Sequence, residues 1–335
     1  MYRPNYRITE YFLGCIEKIA ALQADIRKSR VRLPAKLMLQ TEAFNRNVHS
    51  STWIEGNRLS LEQVAALRGR KEVRADERQK REVANYIQAL QWVLDHADKP
   101  VAEKDLLRLH RMITRGLVNP EKCGRYREVQ NYVLDGKGRT AYTPPAAPAV
   151  PKLMRDLLAW LARAKGMNPV IASAVFHHQF VTIHPFADGN GRLARAVSLW
   201  ILYHGQYDPS HIAALDEYFA QDREKYYQKI RQARELDYDL TYWLDYLAQG
   251  VLETLESALG RIYQLAVSPK KEIALSGKQE ELIHFIKQNA GCSSKDIGAA
   301  MKINRARVNQ LIAPLIKAGI VGMAGKARAT KYYLS

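Results

Sequence analysis

HPFADGNGRLAR, residues 184–195, concentrates a histidine, an aspartate, an asparagine, two glycines and two arginines in one short segment of this 335-residue chain. The preceding residues, 171–183, are apolar with helical spacing, and Pro185 must end that helix because its ring does not fit a helix interior. Apolar residues resume after Gly191 and restart a helix. The segment is therefore predicted to be a turn that leads into a helix N-terminus, within a mainly α fold.

A helix N-terminus of this composition favours an anionic ligand. Its first backbone N–H groups lack partners within the helix, and Gly189 and Gly191 allow an anion close to the backbone. Arg192 and Arg195 lie on one side of the first turns and offer forked donors to further phosphate oxygens. A carboxylate beside a phosphate, here Asp188, requires a cation, and Mg²⁺ held by one carboxylate and phosphate oxygens is the usual solution.

His184 supplies a general base, because an imidazole titrates near neutrality. Other interpretations of the segment fit less well. A calcium loop beginning at Asp188 requires a glutamate at its twelfth position, which is Leu199. A dinucleotide fold lacks its third glycine, and a P-loop lacks its lysine. His177 and His178 do not form an HExxH pattern with His184, so packed roles are expected for them.

The rest of the chain is mostly helical by its apolar periodicity, for example over residues 12–26 and 153–161. Residues 129–134 and 139–143 are rich in β-prone side chains and flank a DGKG turn, which predicts a hairpin inside the helical domain. Residues 265–271, LAVSPKK, interrupt a long helical pattern and predict a linker.

Beyond that linker, residues 270–335 contain twelve Lys and Arg and four Asp and Glu. Helical patterns over 279–289, 294–301 and 305–318 are followed by a short apolar pair, a glycine turn and a strand-like segment at 330–334. This order resembles a winged helix-turn-helix.

The third helix of this unit is then the recognition helix. Arg305 and Arg307 are expected to face phosphates or base edges, and Lys326 and Arg328 are expected to lie on the wing. Pro314 should kink the helix. Both duplex DNA and a protein are open as the partner of such a unit.

Composition limits the class of protein. Fifty-one basic and thirty-four acidic residues give a net charge of +17, which favours polyanionic partners such as nucleotides and nucleic acids. An uninterrupted apolar run of membrane-spanning length is absent from the sequence, and Cys15, Cys123 and Cys292 form no CxxC pair. We therefore expect a cytoplasmic protein without a membrane partner, a zinc knuckle or a disulfide framework.

Residues 184–195 resemble the signature of the Fic family, HPFx(D/E)GN(G/K)RxxR, at every fixed position. The similarity extends to about residues 1–260. GRYR at 124–127 and the hairpin ending in YTPP at 142–145 look like the family's substrate-docking flap, and EVANY at 82–86 resembles an early helical element. The resemblance implies a helical Fic core with a β-hairpin flap.

The resemblance also implies a reaction, protein adenylylation. His184 would deprotonate a Ser, Thr or Tyr hydroxyl of a target protein, which attacks the α-phosphate of ATP, while Asp188 holds Mg²⁺. Glycine at position 191 is associated with AMP transfer, and lysine there with phosphate transfer. The nucleotide-binding positions that the resemblance implies are Val181, Gly189, Asn190, Gly191, Arg192, Leu193, Ala194, Arg195 and Tyr227. Among them, residues 189–191 would form the anion hole, the two arginines would hold the β- and γ-phosphates, and Val181 and Tyr227 would border the base.

STWIEG, which begins at Ser51 and ends with Glu55 and Gly56, resembles the family's inhibitory pattern (S/T)xxxE(G/N). In such proteins the glutamate pairs with the second arginine of the signature, here Arg195, and competes with the γ-phosphate. Two alternatives remain open: a de-AMPylating enzyme in which Glu55 activates water, and a nucleotide-sensing, DNA-binding regulator. Self-modification and a homodimer are open as well.

The predicted organisation has four parts. Residues 1–100 form an N-terminal helical region with the inhibitory motif, and residues 101–264 form the catalytic core. Residues 265–271 are the linker, and residues 272–335 form the winged helix-turn-helix.

Overall fold

The computed structural model of the chain describes residues 2–29, 33–134, 136, 138–208, 210–267, 275–317, 320–325 and 330–334. These residues are mainly α-helical, as predicted. The helices are α1 (Glu10–Lys28), α2 (Leu33–Ile54), α3 (Leu61–Arg68), α4 (Glu77–Asp95), α5 (Glu103–Thr114), α6 (Val150–Arg163), α7 (Pro169–Ile183), α8 (Asn190–His204), α9 (Leu215–Gln221), α10 (Arg223–Glu235), α11 (Thr241–Val267), α12 (Gly277–Gln288), α13 (Ser294–Met301) and α14 (Arg305–Lys317). The strands are β1 (Val133–Leu134), β2 (Thr140–Tyr142), β3 (Val321–Ala324) and β4 (Lys331–Leu334). Among the described residues, no helix has both the length and the apolar character needed to cross a membrane.

Helices α1 to α11 share one hydrophobic core, so the predicted N-terminal region and catalytic core pack as a single unit. Helix α7 is buried on nearly all sides and packs along α8 at the centre. Apolar side chains occur on all of its sides, which is the pattern of a helix surrounded by others. The turn between α7 and α8, which carries the polar segment, is therefore held by the most buried pair of helices.

The predicted hairpin is present but shorter than expected. Strands β1 and β2 are antiparallel, with Val133 opposite Tyr142 and Leu134 opposite Thr140. Residues 129–131 lie outside β1. The Val129 carbonyl accepts from the Arg127 side chain instead of from a strand, and the Asn131 side-chain amide donates to the turn after α7. Two residues of the predicted turn, 135 and 137, lie outside the described residues.

The C-terminal helices and strands follow the predicted winged-helix order. Helices α12 to α14 and strands β3 and β4 enclose a second hydrophobic core, and an isolated bridge joins Cys292 to Tyr332. Helix α14 is continuous from Arg305 to Lys317 with Pro314 inside it. The predicted wing residues Lys326 and Arg328 lie outside the described residues.

The predicted linker begins later than residue 265, because α11 extends to Val267. Residues 268–271 of that linker lie outside the described residues. The two cores meet at two described contacts. Leu37 of α2 packs on the second core, and Arg70 donates to the Tyr333 hydroxyl at 2.7 Å with its guanidinium 4.1 Å from the Tyr333 ring centroid.

Candidate active site

The turn between α7 and α8 has the geometry that its sequence predicts. Helix α7 ends at His184, which adopts a left-handed conformation with φ 50° and ψ 59°. Pro185 follows, and Gly189, also left-handed at φ 80°, caps the N-terminus of α8. The Asn190 side chain bonds to the backbone of Phe186 in both directions, accepting from its N–H and donating to its carbonyl, each at 2.9 Å. Asn190 thus holds the turn closed, and its backbone N–H lies in the first turn of α8.

Asp188 lies at the rim of this turn, with 48% of its side chain exposed. Its Oδ1 accepts from the Gly189 N–H at 2.6 Å and from Arg192 Nη2 at 3.2 Å. Groups of three or more His, Cys, Asp or Glu side chains placed to hold a metal are absent from the described part of the chain. Asp188 is therefore a single exposed carboxylate beside a helix N-terminus.

His110 of α5 also contacts this turn. Its Nδ1 accepts from the Gly124 N–H at 2.8 Å, its Nε2 donates to the Asp188 carbonyl at 2.9 Å, and its ring stacks on Phe186 at 3.8 Å. Burial lowers the pKa of His110 to about 4, so at neutral pH the ring is uncharged and can accept at Nδ1 while it donates at Nε2.

The His184 imidazole is half-buried, and burial lowers its pKa to about 4. The positive charges of Arg234 and Arg127 act in the same direction, whereas the Val181 carbonyl and Glu55 oppose it. The ring is therefore uncharged at neutral pH, which is the form that accepts a proton. Nδ1 lies 3.4 Å from the Val181 carbonyl, which favours the tautomer with its proton on Nδ1 and its lone pair on Nε2.

Arg195 is buried and is held by the predicted inhibitory motif. Its Nε donates to the Ser51 hydroxyl and its Nη2 to the Ser51 carbonyl, both at 2.8 Å, and Nη2 also donates to Glu55 Oε1 at 2.7 Å. Burial alone would raise the pKa of Glu55, but Arg195 and then Arg192 outweigh it and the pKa lies below its usual value. Glu55 is thus a carboxylate that neutralises a buried cation.

The Glu55 carboxylate lies directly over the first turn of α8. A Cβ on Gly191 would overlap Glu55 Oε1 and would lie 3.2 Å from Arg195 Nη1. That Nη1 is buried and has no hydrogen-bond partner among the described residues. The space above Gly191 therefore holds an anionic group now, and it contains an arginine nitrogen with unused donor capacity.

Arg192 is also held by carboxylates. Its Nη1 donates to Glu82 Oε1 at 2.5 Å, and its Nη2 contacts Asp188. The other oxygen of Glu82, Oε2, accepts from the Asn57 amide at 2.9 Å. Glu82 of α4 thus connects the signature to the segment that follows Glu55.

The remaining predicted nucleotide positions surround this space less closely. The Leu193 and Ala194 side chains are fully buried in the core, so only their backbone atoms are available to a ligand. Tyr227 is half-buried, and its pKa is raised by burial first and by Glu55 second, which places its phenol in the field of that carboxylate. The Val181 carbonyl accepts from Arg234 at 3.3 Å. Gly56, which follows Glu55, has φ 103°, a conformation that favours glycine.

His177 and His178 are buried, as expected from their sequence context. His177 bonds to the Ser198 and Tyr226 hydroxyls, each at 2.9 Å, and His178 Nε2 lies 3.1 Å from the Ile230 carbonyl. They pack beneath the site.

Five further residues shape the site by contacts that the sequence does not specify. Glu82 and Arg127 lie in the EVANY and GRYR segments that resemble Fic elements, and Asn131 lies in the predicted hairpin, but their bonds to the site follow only from the structure. His110 and Arg234 have no recognisable signal in the sequence.

Comparison with known proteins agrees with this geometry. Residues 100–202 match the Fic/DOC family. The chain is 29% identical over 250 residues to "Protein adenylyltransferase Fic" of Nematostella vectensis, covering 72% of this chain and 55% of that protein. It is 31% identical over 206 residues to the protein of the same name from Culex quinquefasciatus, covering 59% of this chain and 38% of that protein. It thus spans about half or less of the length of these relatives.

Among solved structures, a Fic family protein from Desulfovibrio desulfuricans G20 is similar over the whole chain. Its TM-score is 0.70 and its sequence identity 26%, with 100% of this chain and 98% of that chain covered. The fold of this chain, including the C-terminal unit, is therefore shared with a solved Fic family structure.

Proposed function

We propose that this chain, a Fic-domain protein, transfers AMP from ATP to the hydroxyl group of a serine, threonine or tyrosine of a target protein. The observation that carries the proposal is the anion site over Gly191. A carboxylate occupies the N-terminus of α8 there, and the buried Arg195 Nη1 adjoins it without a hydrogen-bond partner among the described residues. A phosphate group carries the same charge and accepts the same donors.

In this reaction His184 acts as the general base. Its neutral ring takes the proton of the acceptor hydroxyl, and the oxygen forms a bond to the α-phosphorus. The bond from that phosphorus to the bridging oxygen of the β-phosphate breaks, and pyrophosphate leaves with the electron pair. The product is a phosphodiester between AMP and the acceptor side chain.

The first turn of α8 stabilises the charge that develops at phosphorus. The backbone N–H groups of residues 189–191 and the helix dipole favour negative charge there. Arg192 and Arg195 bind the outer phosphates once their carboxylate partners move away. A guanidinium binds a phosphate and a carboxylate with nearly the same geometry, so one can replace the other. Leu193 and Ala194 contribute backbone only.

Mg²⁺ fits the donor set at Asp188. One exposed carboxylate near an anion site is the usual protein contribution to a magnesium ion that also binds phosphate oxygens. When bound, the ion would neutralise phosphate charge. Asp188 would hold it with the oxygen that is not shared with Gly189 and Arg192.

Glu55 inhibits transfer in this proposal. Its carboxylate uses Arg195 and fills the space over Gly191, so ATP cannot place its γ-phosphate there. The wild type should therefore be nearly silent. Substitution Glu55→Gly removes both the charge and the bulk.

The test is incubation of the wild type, Glu55→Gly, and Glu55→Gly with His184→Ala or Arg195→Ala, each with isotopically labelled ATP and a desalted lysate. We expect strong protein labelling with Glu55→Gly alone. His184→Ala should abolish labelling while binding of an ATP analogue persists, and Arg195→Ala should weaken both.

Two outcomes would replace the proposal. If the wild type removes AMP from a modified protein and Glu55→Gly cannot, Glu55 is the base of a de-AMPylating enzyme. If Glu55→Gly binds ATP and labels no protein, nucleotide sensing is the better function.

The hairpin suggests how a target docks. The exposed Val129 and Tyr132 precede the short strand β1, and the exposed Leu134 lies in it; the edge of this strand can pair with an extended segment of the target. The chain itself can serve as a target, and a homodimer would allow this between copies. Mass spectrometry of the labelled products identifies the acceptors.

We place the reaction in the cytoplasm.

For the C-terminal unit, we propose that α14 binds duplex DNA. Arg305, Arg307, Asn309 and Gln310 are all exposed on this helix, which contains no acidic residue. Arginine and amide side chains are those that bind phosphates and read base edges in the major groove. A gel shift that weakens steeply with rising salt would support DNA binding, and absence of a shift at low salt would favour a protein partner.

A further inference from the structure

Arg127 joins three separate parts of the chain with one side chain. It is only 5% exposed. Its Nε donates to the His184 carbonyl at 2.9 Å, its Nη1 donates to the Val129 carbonyl at 3.1 Å, and its Nη2 donates to the Pro145 carbonyl. Val129 precedes the hairpin and Pro145 follows it, so the guanidinium connects both ends of the hairpin to the catalytic histidine.

The backbone of Arg127 strengthens this connection. Its N–H donates to the Pro185 carbonyl at 2.9 Å, so both carbonyls at the end of α7 accept from the same residue. His184 is left-handed, and its carbonyl has left the helical hydrogen-bond ladder. Arg127 therefore supplies the donor that this carbonyl needs in the buried turn.

The positive charge of Arg127 lies at the C-terminal end of α7, where the helix dipole favours a cation. Among the described residues, the Arg127 side chain donates to carbonyl oxygens and not to a carboxylate. Burial lowers the pKa of its guanidinium. The negative end of the α7 dipole lies at His184 and partly compensates a cation there. The planar fork of arginine reaches three acceptors at once, which the single point charge of a lysine does not.

Two other contacts also tie the hairpin to this region. The Asn131 amide donates to the Phe186 carbonyl at 2.9 Å, and the Tyr142 hydroxyl donates to the Thr182 carbonyl at 3.0 Å. Neither reaches His184 itself. Of these three anchors, the guanidinium of Arg127 is the one that bonds directly to the residue carrying the base.

We propose that Arg127 is a positioning residue that sets the acceptor hydroxyl against His184 by joining the docking hairpin to the backbone of the base. The inference rests on the proposed function. In this role Arg127 touches neither ATP nor the acceptor side chain. Transfer requires the attacking oxygen and the base to be aligned within a few tenths of an ångström, and the hairpin and the base are supplied by different segments.

The test uses the full chain in the Glu55→Gly background, with Arg127→Lys and Arg127→Gln. Lysine keeps the charge, and glutamine keeps a short amide donor without a charge to bury. Arg155 of α6 is an exposed arginine outside the site, and Arg155→Lys and Arg155→Gln are the matched controls. Protein labelling of a desalted lysate is measured at saturating ATP, together with the affinity for a non-hydrolysable ATP analogue and amide hydrogen exchange.

We expect both Arg127 variants to lower labelling by about 10- to 100-fold, with affinity for the ATP analogue changed by about twofold or less. Amide exchange should rise together in residues 129–134 and 181–187. The Arg155 variants should change none of these. This separation of transfer from nucleotide binding is the signature of positioning.

Labelling and exchange that match the parent would overturn the inference. So would a parallel loss of analogue affinity and labelling, because that result describes general loss of structure. If Arg127→Lys does not fold, Arg127→Gln decides between these outcomes. If Glu55→Gly labels no protein while exchange rises in both segments of the Arg127 variants, the proposed function fails and the physical link between hairpin and base stands.

Discussion

The two arginines at the start of α8 are buried cations that need counter-ions. Arg195 is 1% exposed and Arg192 is 4% exposed, and both pair with carboxylates. An unpaired buried guanidinium would cost several kcal/mol, so Glu55 and Glu82 are also structural counter-ions. In the proposed function, phosphates of ATP would replace that charge. Inhibition by Glu55 and stability would then be coupled through the same ion pairs.

The first prediction concerns pH and His184. Because burial lowers its pKa to about 4, the base stays neutral well below its ordinary value. The Glu55 carboxylate raises the pKa of His184, so its removal in Glu55→Gly lowers this pKa further. The kcat/KM for labelling should therefore remain level from pH 8 to about pH 5. Initial rates across this range, with circular dichroism as the folding control, test it. An inflection near 6.5 would contradict it.

The second prediction concerns Asp188. Asparagine keeps an oxygen for the Gly189 N–H but loses the charge that Mg²⁺ requires. In the Glu55→Gly background, Asp188→Asn should lower transfer by roughly tenfold or more and shift the Mg²⁺ titration to higher concentration. Arg192 keeps Glu82 as its partner, so the fold should persist. Superimposable Mg²⁺ titrations of the two proteins would refute the assignment.

Helix α8 brings the anion site together at the scale of an element. The N–H groups of its first turn have no partners within the helix, Gly189 turns the chain at φ 80°, and Gly191 leaves the space that Glu55 occupies. The motif arginines follow within the first two turns, and Arg195 Nη1 adjoins the same space. One helix end thus provides the dipole, the backbone donors and the guanidinium groups.

The third prediction follows from Gly191. A methyl group there would collide with the Glu55 carboxylate, a flexible group that must move away from Arg195. In the wild type, Gly191→Ala should therefore raise affinity for an ATP analogue several-fold. In Glu55→Gly the same methyl group meets only space that the nucleotide needs, so affinity should fall. Titration of the four proteins measures both effects. Changes of the same sign in both backgrounds would exclude this steric account.

The whole molecule has two hydrophobic cores, and the described site residues belong to the larger one. Helices α1 to α11 form the first core, and α12 to α14 with β3 and β4 form the second. Arg70 and Leu37 connect them, and Leu37 lies in α2, the helix that ends just before Glu55. The described contacts of His184, Arg192 and Arg195 lie within the first core.

The fourth prediction is that the two cores separate by function. A Glu55→Gly chain ending at Val267 should retain AMP transfer within about threefold of the full chain, because its core is complete without the second one. The same chain should lose any DNA gel shift. Loss of transfer in a protein that still shows helical circular dichroism would mean that the C-terminal unit supports the site.

Local chemistry explains why so much of the fold was predictable. Helical periodicity, Pro185 and the paired glycines predict α7, the turn and α8, because backbone preferences depend on neighbouring residues. The winged-helix order was predicted in the same way, and helix boundaries there agree within about two residues. The hairpin was predicted too long, because β-prone composition does not show that the Val129 carbonyl bonds to the Arg127 side chain instead of to a strand.

The amino-acid sequence alone places a histidine, a carboxylate and two arginines in one turn at residues 184–195 and predicts that this turn binds an anion, and family resemblance predicts the pairing of Glu55 with Arg195. Only tertiary packing decides that Arg127 clamps His184 and that Glu82 holds Arg192. These partners lie 57 and 110 residues apart. A turn is encoded by adjacent residues, whereas the partner of a buried side chain depends on which helices share its core.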